Sequence, residues 1–306
     1  MLLSVIIPCY KETQAELMRC LDSLAFLSDM CEWEAWIVDD GSPDNMVAQW
    51  VSERCDAHLH TIRQDNQGLS VARNAGIDRA QGEYIAFLDA DDEWIAPQYA
   101  QLIRLLMREK PDILGLRYKS TPTPYYDGQA TAFMAAHDVV PSACAYIIRR
   151  EALGPLSFTP GIYHEDEEFV TRLNLLPLRL IMTPIVAYRY HIRQGSTITT
   201  RSESHLNKRF DDLLGVIERM SKERQDAPLH QKALERRLHV MAMCVVVNLI
   251  RDGYSRQFVY DKLQRLRHLG YYPLPPCRGI RRYGWIRLLT RYPWCVAAIH
   301  SILRRS

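Results

Sequence analysis

The chain has 306 residues, 47% hydrophobic and 24% charged, a composition that suits one large globular domain or two and excludes a disordered or fibrous protein. Its net charge of +2 hides a division: residues 1–200 hold 17 Lys/Arg against 27 Asp/Glu, and residues 201–306 hold 21 against 9. No apolar run approaches the ~20 residues of a membrane span, and the opening LLSVIIP, without a positive leader and halted by Pro8, suits a β-strand better than a signal peptide.

The first half alternates strand and helix. SVII (4–7) leads through PCYKE into Leu17, Cys20, Leu21 and Leu24, which recur at helical spacing. AWIV (35–38) ends at DDGSPDN, where Asp44 and Asn45 are suited to cap a helix carrying Val47, Trp50 and Val51. HLHTI (58–62) precedes DNQG and a helix through Val71, Ala72 and Ala75. YIAFL (84–88) runs into DADDEW, and Pro97 suits the first turn of a helix carrying Leu102, Leu105 and Leu106. DILGL (112–116) is a fifth strand. Repeated β–α units of this length predict an α/β domain, a mostly parallel sheet with helices on both faces.

Residues 117–145, rich in Pro, Thr and Tyr, have weak periodicity. Beyond them the chain is helical. Leu213, Leu214, Ile217 and Met220 form one apolar stripe, and Leu234, Leu238, Met241, Val245 and Leu249 form another, both expected to face a core. The change in charge and pattern places a domain boundary near residue 200, with 201–306 as a basic helical region. Eight cysteines without a CxxC pair, several inside apolar runs, are expected as reduced core thiols of a cytoplasmic protein.

In a parallel α/β sheet, ligands bind beyond the carboxyl ends of the strands. PCYKE, DDGS and DADD all fall at such ends. The aspartates of DADD repel one another unless they are well solvated or a cation sits among them. Neither GxGxxG after the first strand nor GxxxxGK[ST] occurs, so dinucleotide and P-loop binding are not supported. Acids at several strand ends fit a divalent cation holding a diphosphate, since hard oxygen ligands suit Mg²⁺ or Mn²⁺. A carboxylate there can also accept from a uracil N–H or from ribose hydroxyls. DDGS alone describes a polar turn equally well; the combination carries the inference.

SVIIPCY, VDDGSPD, DNQGLSVARNAG, GEYIAFLDADD and HEDEEF, in that order over roughly residues 3–200, resemble the successive motifs of family 2 glycosyltransferases with the GT-A fold. The resemblance implies transfer of a sugar from a nucleotide donor, usually UDP-linked, with inversion at the anomeric carbon. It assigns Pro8 and Tyr10 to the nucleotide pocket, and Asp40 to a hydrogen bond with uracil, with Arg73 nearby. Asp89, Ala90 and Asp91 match the DxD motif, the first aspartate near the ribose and the second on Mn²⁺ or Mg²⁺. Asp92 falls outside that pair and is expected to cap or solvate the next turn. Asp166 matches the catalytic base, and Glu165 is expected to help position the acceptor. On its own, the run Glu165–Glu168 describes the acidic first turn of a helix equally well.

His191 stands where some relatives place a metal-ligating histidine, although a lone histidine at a strand end is usually structural. Arg193 and Ser196 are candidates to touch the diphosphate from a closing loop, or belong to an ordinary surface loop. The position after Tyr10 is often asparagine in this family, and here it is Lys11. Residues 117–145 correspond to the acceptor side, where His137 and the Tyr125–Tyr126 pair are candidates to stack on sugars.

The expected partners are a nucleotide-sugar donor and a glycan or lipid-linked acceptor, in the building of capsule, exopolysaccharide or lipopolysaccharide. The alternative is a catalytically silent subunit of the same fold that binds a nucleotide or a partner. No nucleic-acid motif accompanies the basic half, so nucleic acid is not an expected partner. Within the tail, Trp285, Leu288, Leu289 and Tyr292 share a helical face, with Arg287 and Arg291 elsewhere on the wheel and Pro293 limiting the helix. That pattern suits a helix lying on an anionic membrane surface, which would make the enzyme peripheral on the inner face of the cell membrane. The competing expectation packs the stripe on the protein's own core or on a second subunit of a homo-oligomer.

Overall fold

The computed structural model describes residues 2–117, 123–192, 202–223, 227–251, 254–276, 281–292 and 294–296. The chain divides into two compact units, Met1–Ala130 with Val140–Thr199, and Thr131–Val139 with Thr200–Ser306.

The elements of the first part run β1 (Leu2–Cys9), α1 (Gln14–Asp22), β2 (Glu32–Asp39), α2 (Val47–Ser52), β3 (Leu59–Arg63), α3 (Leu69–Arg79), β4 (Tyr84–Phe87), β5 (Glu93–Trp94), α4 (Ala96–Glu109) and β6 (Ile113–Arg117). They continue through β7 (Tyr126–Gln129), α5 (Ala130–Ala136, of the second unit from Thr131 on), β8 (Tyr146–Arg149), α6 (Arg150–Leu153), α7 (Glu165–Leu175), β9 (Arg179–Val186) and β10 (Tyr188–Arg189). The strand order is β3-β2-β1-β4-β8-β6-β9-β7, and β5 pairs with β10 in a separate two-stranded ribbon. Pairing is parallel for β3–β2–β1–β4 and β6–β9, and antiparallel on both sides of β8 and at β7, so six strands point one way and two the other.

β1 is central, and its residues Leu3–Cys9 are all buried, as a parallel strand covered on both faces requires. Helix α3 lies on β1 and β2. Gly76 makes that approach possible: a Cβ there would stand 2.4 Å from Ile6 Cγ2. Pro97 sits in the first turn of α4, as expected.

One expectation is corrected here, and one strand was not foreseen. The unforeseen strand is β8, from the segment AYIIRR, which inserts antiparallel between β4 and β6 with Tyr146, Ile147 and Ile148 buried. Asp44 and Asn45 do not cap α2. Its cap is Met46, with no side-chain bond, and Asp44 closes a local turn by accepting from Met46 N at 3.4 Å.

The second unit contains α8 (Glu203–Ser221), α9 (Pro228–Arg251), α10 (Arg256–His268) and α11 (Arg281–Leu289). Ser202 and Ser255 cap α8 and α10 by accepting from His205 N and Phe258 N. Both apolar stripes are buried as expected. Lys262 and Arg265 of α10 each donate to Asp211 of α8 at 2.8 Å. The segment around His137 belongs to this unit: Arg236 of α9 donates to Asp138 at 2.6 Å, and the His137 ring lies 4.9 Å from that of Phe133. Among the described residues no helix is long and apolar enough to cross a membrane, and seven cysteines are free thiols, with Cys9, Cys20 and Cys144 buried.

Candidate active site at the strand ends

The carboxyl ends of β2, β1 and β4 lie side by side. Asp40 N donates to Cys9 O and Leu88 N donates to Ile6 O, which brings Tyr10, Asp40 and Asp89 onto one edge of the sheet. Pro8 is buried in β1 and Tyr10 is half-buried. Lys11 adopts φ 66°, the left-handed region where asparagine is enriched, which explains physically why asparagine suits that position. The Lys11 ammonium lies 4.7 Å over the Tyr10 ring. Gly41 of DDGS has φ +77°, and a Cβ there would meet Asn66 N at 2.8 Å.

The two aspartates of DDGS do different things. Asp39 accepts from Ser42 N at 2.8 Å and pairs with Arg63. Asp40, 3% exposed, accepts from Gln64 Nε2 and Gln67 N on Oδ1 and from Gly68 N on Oδ2 at 2.8 Å. It therefore shapes the DNQG loop at the entrance to α3, with one acceptor position left on Oδ2.

Arg73 is the centre of the site. Its guanidinium, 1% exposed, donates to Asp89 at 2.9 Å, to Asp166 at 2.7 Å and to Glu165 at 3.3 Å. The expectation placed it near the base of a nucleotide; the structure makes it the clamp between DxD and the acids of α7. It lies 5.2 Å over the Phe158 ring, which stacks on Phe169 and meets Phe87 edge-on. Its neighbour Asn74 fixes that ring by bonding Phe158 N and O, each at 2.9 Å. His164, with φ 66°, turns the chain into α7, whose first turn holds Glu165, Asp166, Glu167 and Glu168. Burial and the neighbouring Asp166 charge push Glu165 up to about 7, against the pull of Arg73. Asp166 is also raised by burial, with Arg73 opposing. Two acids therefore share one strong cation, and their protons are held jointly.

Asp92 is corrected too. It is fully buried rather than solvated, accepting from Tyr188 Oη at 2.7 Å and from His191 N at 2.7 Å. Burial, then the Asp89 charge, raise it to about 7. Tyr188 Oη in turn accepts from Asp89 N at 3.3 Å, so this tyrosine links two members of DADD. The pairing of β5 with β10 produces the arrangement. Sequence reading missed both Tyr188 and Asn74; the motif SVARNAG contains Asn74, but only the fold shows its partner.

Asp89 has a side chain 34% exposed, Asp91 is half-buried, and Ala90 between them is buried. Arg19 donates to Asp91 O at 2.6 Å and fixes that turn. His191 Nε2 lies 3.1 Å from Glu93. Among the described residues no group of three or more His, Cys, Asp or Glu is arranged to enclose a metal. Accessible carboxylates without a closed cage fit a hard cation whose remaining ligands come from a bound phosphate and water. Arg193 and Ser196 lie outside the described residues.

A mixed sheet with acids gathered at its parallel strand ends has the architecture of an α/β protein of GT-A type. The pattern of Glycosyl transferase family 2 matches residues 4–162, and the chain belongs to that family. The uncharacterized glycosyltransferase YibD of Escherichia coli (strain K12) is 28% identical over 67% of this chain and 65% of its own length. The matched stretch thus spans just under two thirds of that relative. The UDP-Glc:alpha-D-GlcNAc-diphosphoundecaprenol beta-1,3-glucosyltransferase WfgD of Escherichia coli is 25% identical over 71% of this chain and 87% of its own length. TarS of S. aureus, in complex with UDP-GlcNAc, shares the fold with a TM-score of 0.69 at 17% identity, over 100% of this chain and 91% of that one. Mannosyltransferase PcManGT from Pyrobaculum calidifontis, in complex with GDP-Man and Mn²⁺, does so at 0.58 and 17%, over 98% and 86%.

Proposed function

We propose that the protein is an inverting glycosyltransferase that moves a sugar from a UDP-linked donor to a hydroxyl of a glycan or lipid-linked acceptor in surface-polysaccharide synthesis. The observation that carries this reading is the Arg73 clamp, which holds Asp89 of DxD and Asp166 of α7 on one guanidinium. A donor-side acid and an acceptor-side acid thereby stand within one side chain's span. WfgD carries a UDP-sugar and a diphosphoundecaprenol acceptor in its name, and TarS binds UDP-GlcNAc; both support the donor and acceptor classes.

In this reading Asp40 takes an N–H of the base on its remaining Oδ2 position, beside Pro8 and Tyr10, while Asp89 takes the ribose. Asp91 is the proposed ligand of Mn²⁺ or Mg²⁺, with His191 as the second candidate, and PcManGT with Mn²⁺ supports that class of ion. When bound, the cation supplies positive charge against the departing nucleoside diphosphate. Asp166 accepts the acceptor hydroxyl's proton as that oxygen bonds to the anomeric carbon and the bond from that carbon to the diphosphate oxygen breaks. Glu165 and Arg73 hold Asp166 in place and set its proton affinity.

The test pairs Asp166→Asn with Asp91→Ala. The first should retain UDP binding and lose ~10²–10⁴-fold in transfer, the range for a missing general base. The second should abolish metal-dependent UDP binding in titration calorimetry. Wild-type turnover of Asp166→Asn, or retention of anomeric configuration in the product, would overturn the mechanism.

A further inference from the structure

Helix α11 and the residues after it are held to their unit by one edge. Tyr272 Oη donates to Thr290 O at 2.8 Å, Arg287 Nε donates to Leu274 O at 3.0 Å, and Thr290 and Val296 are buried. The opposite edge carries Trp285, Leu288, Leu289 and Tyr292 at i, i+3, i+4 and i+7, with exposures of 70%, 67%, 56% and 49%. Trp294 follows, 69% exposed, its ring 6.1 Å from that of Tyr292 and nearly parallel to it. Single exposed apolar residues are ordinary, but five large ones within ten positions form a continuous face.

Charge selects the occupant of that face. Residues 253–306 hold eleven Lys/Arg against the single acid Asp261. Arg291 lies 5.6 Å over the Tyr292 ring at the margin of the apolar face. A second copy docked through the same face would set two such basic tails against each other, a like-charge contact that a two-fold interface cannot avoid. An anionic bilayer meets both demands. Acyl chains cover the leucines, tryptophan and tyrosine rings sit at headgroup depth, and lipid phosphates offset the arginines.

We propose that the exposed face of α11, continued through Tyr292 and Trp294, docks on the surface of an anionic lipid bilayer. The contact is interfacial: two and a half turns of helix lie along the surface and do not cross it. It stands independently of the proposed transfer reaction, since partition into vesicles needs neither donor nor acceptor.

The test uses the full chain with two vesicle types, phosphatidylcholine alone and phosphatidylcholine containing phosphatidylglycerol. Co-sedimentation should favour the anionic vesicles by about tenfold or more and weaken as salt is raised. Tryptophan emission should shift to the blue on binding. The triple variant Trp285→Ser, Leu288→Ser, Trp294→Ser, all exposed positions, should keep its circular dichroism melt and lose vesicle binding about tenfold or more. Arg291→Gln should narrow the preference for anionic over neutral vesicles. Equal partition into both vesicle types, or wild-type binding by the triple variant, would overturn the proposal. So would a dimer, seen by light scattering, that the triple variant converts to a monomer while neither protein binds vesicles.

Discussion

The acidic strand ends and the basic last helix solve opposite problems. At the strand ends, acids are drawn onto one buried cation: Arg73, 1% exposed, carries three of them. On α11 the order is reversed, with Trp285 and Leu288 in water and Arg291 over the Tyr292 ring just beyond the helix. A buried charge cluster gives a fixed geometry whose parts cannot be removed singly. An exposed apolar face gives nothing to the fold until something covers it. The first region is therefore expected to be intolerant of substitution in stability, and the second tolerant.

Substitution at the clamp breaks or sustains that contrast most directly. Arg73→Ala leaves three acids facing one another in a poorly hydrated site and should cost about 3–5 kcal/mol in a denaturant melt, the range for an orphaned buried charge. The triple serine variant at Trp285, Leu288 and Trp294 should remain within about 0.5 kcal/mol per position. Next in size is Asp92→Ala, which removes the carboxylate that accepts from Tyr188 Oη and His191 N and should cost about 1–3 kcal/mol.

The pH dependence sharpens the contrast further. Glu165 loses its proton at about 7 in the folded protein and at its ordinary 4.5 when unfolded. Between those values the folded state holds more protons, so this group's contribution to stability is highest below pH 4.5 and falls as pH rises to about 7. Transfer should move the other way, rising with pH as the acid pair ionises and Asp166 becomes able to accept a proton. Glu165→Gln removes the neighbouring negative charge and should shift that rise to lower pH in a profile of kcat/KM. An unchanged profile would separate the pair from the chemistry. The smallest effect is expected at Lys11→Asn, which relieves a left-handed lysine and should raise stability by up to about 1 kcal/mol in a thermal melt.

What the sequence disclosed follows from the range of the interactions. Strand ends, the Pro97 start of α4 and the apolar stripes of α8 and α9 are local patterns, and each lies in the structure where the pattern placed it. Acids at consecutive strand ends were likewise visible, because β–α repeats order the ends without knowledge of contacts. The clamp was not: Arg73 meets Asp166 across 93 positions, and no local signal marks a pairing at that distance. Asp92 was misjudged for the same reason, its partners being 96 and 99 residues away. The insertion of β8 was hidden by weak periodicity before it, and Asn45 and Asp44 carried cap chemistry one and two residues ahead of the cap at Met46.

The ribbon of β5 and β10 has a consequence for the order of assembly. Its two strands are four residues in total, and it joins segments almost a hundred positions apart. Closing a loop of that length is entropically unfavourable until the intervening β6, β8 and β9 have docked, so the ribbon and its Asp92 bonds should form after the folding barrier has been crossed. Weakening it at Tyr188→Phe should then accelerate unfolding and leave the refolding rate nearly unchanged in stopped-flow experiments. The strand-end acids would accordingly gather early and acquire their final partners last, so the proposed donor site should be complete only at the end of folding.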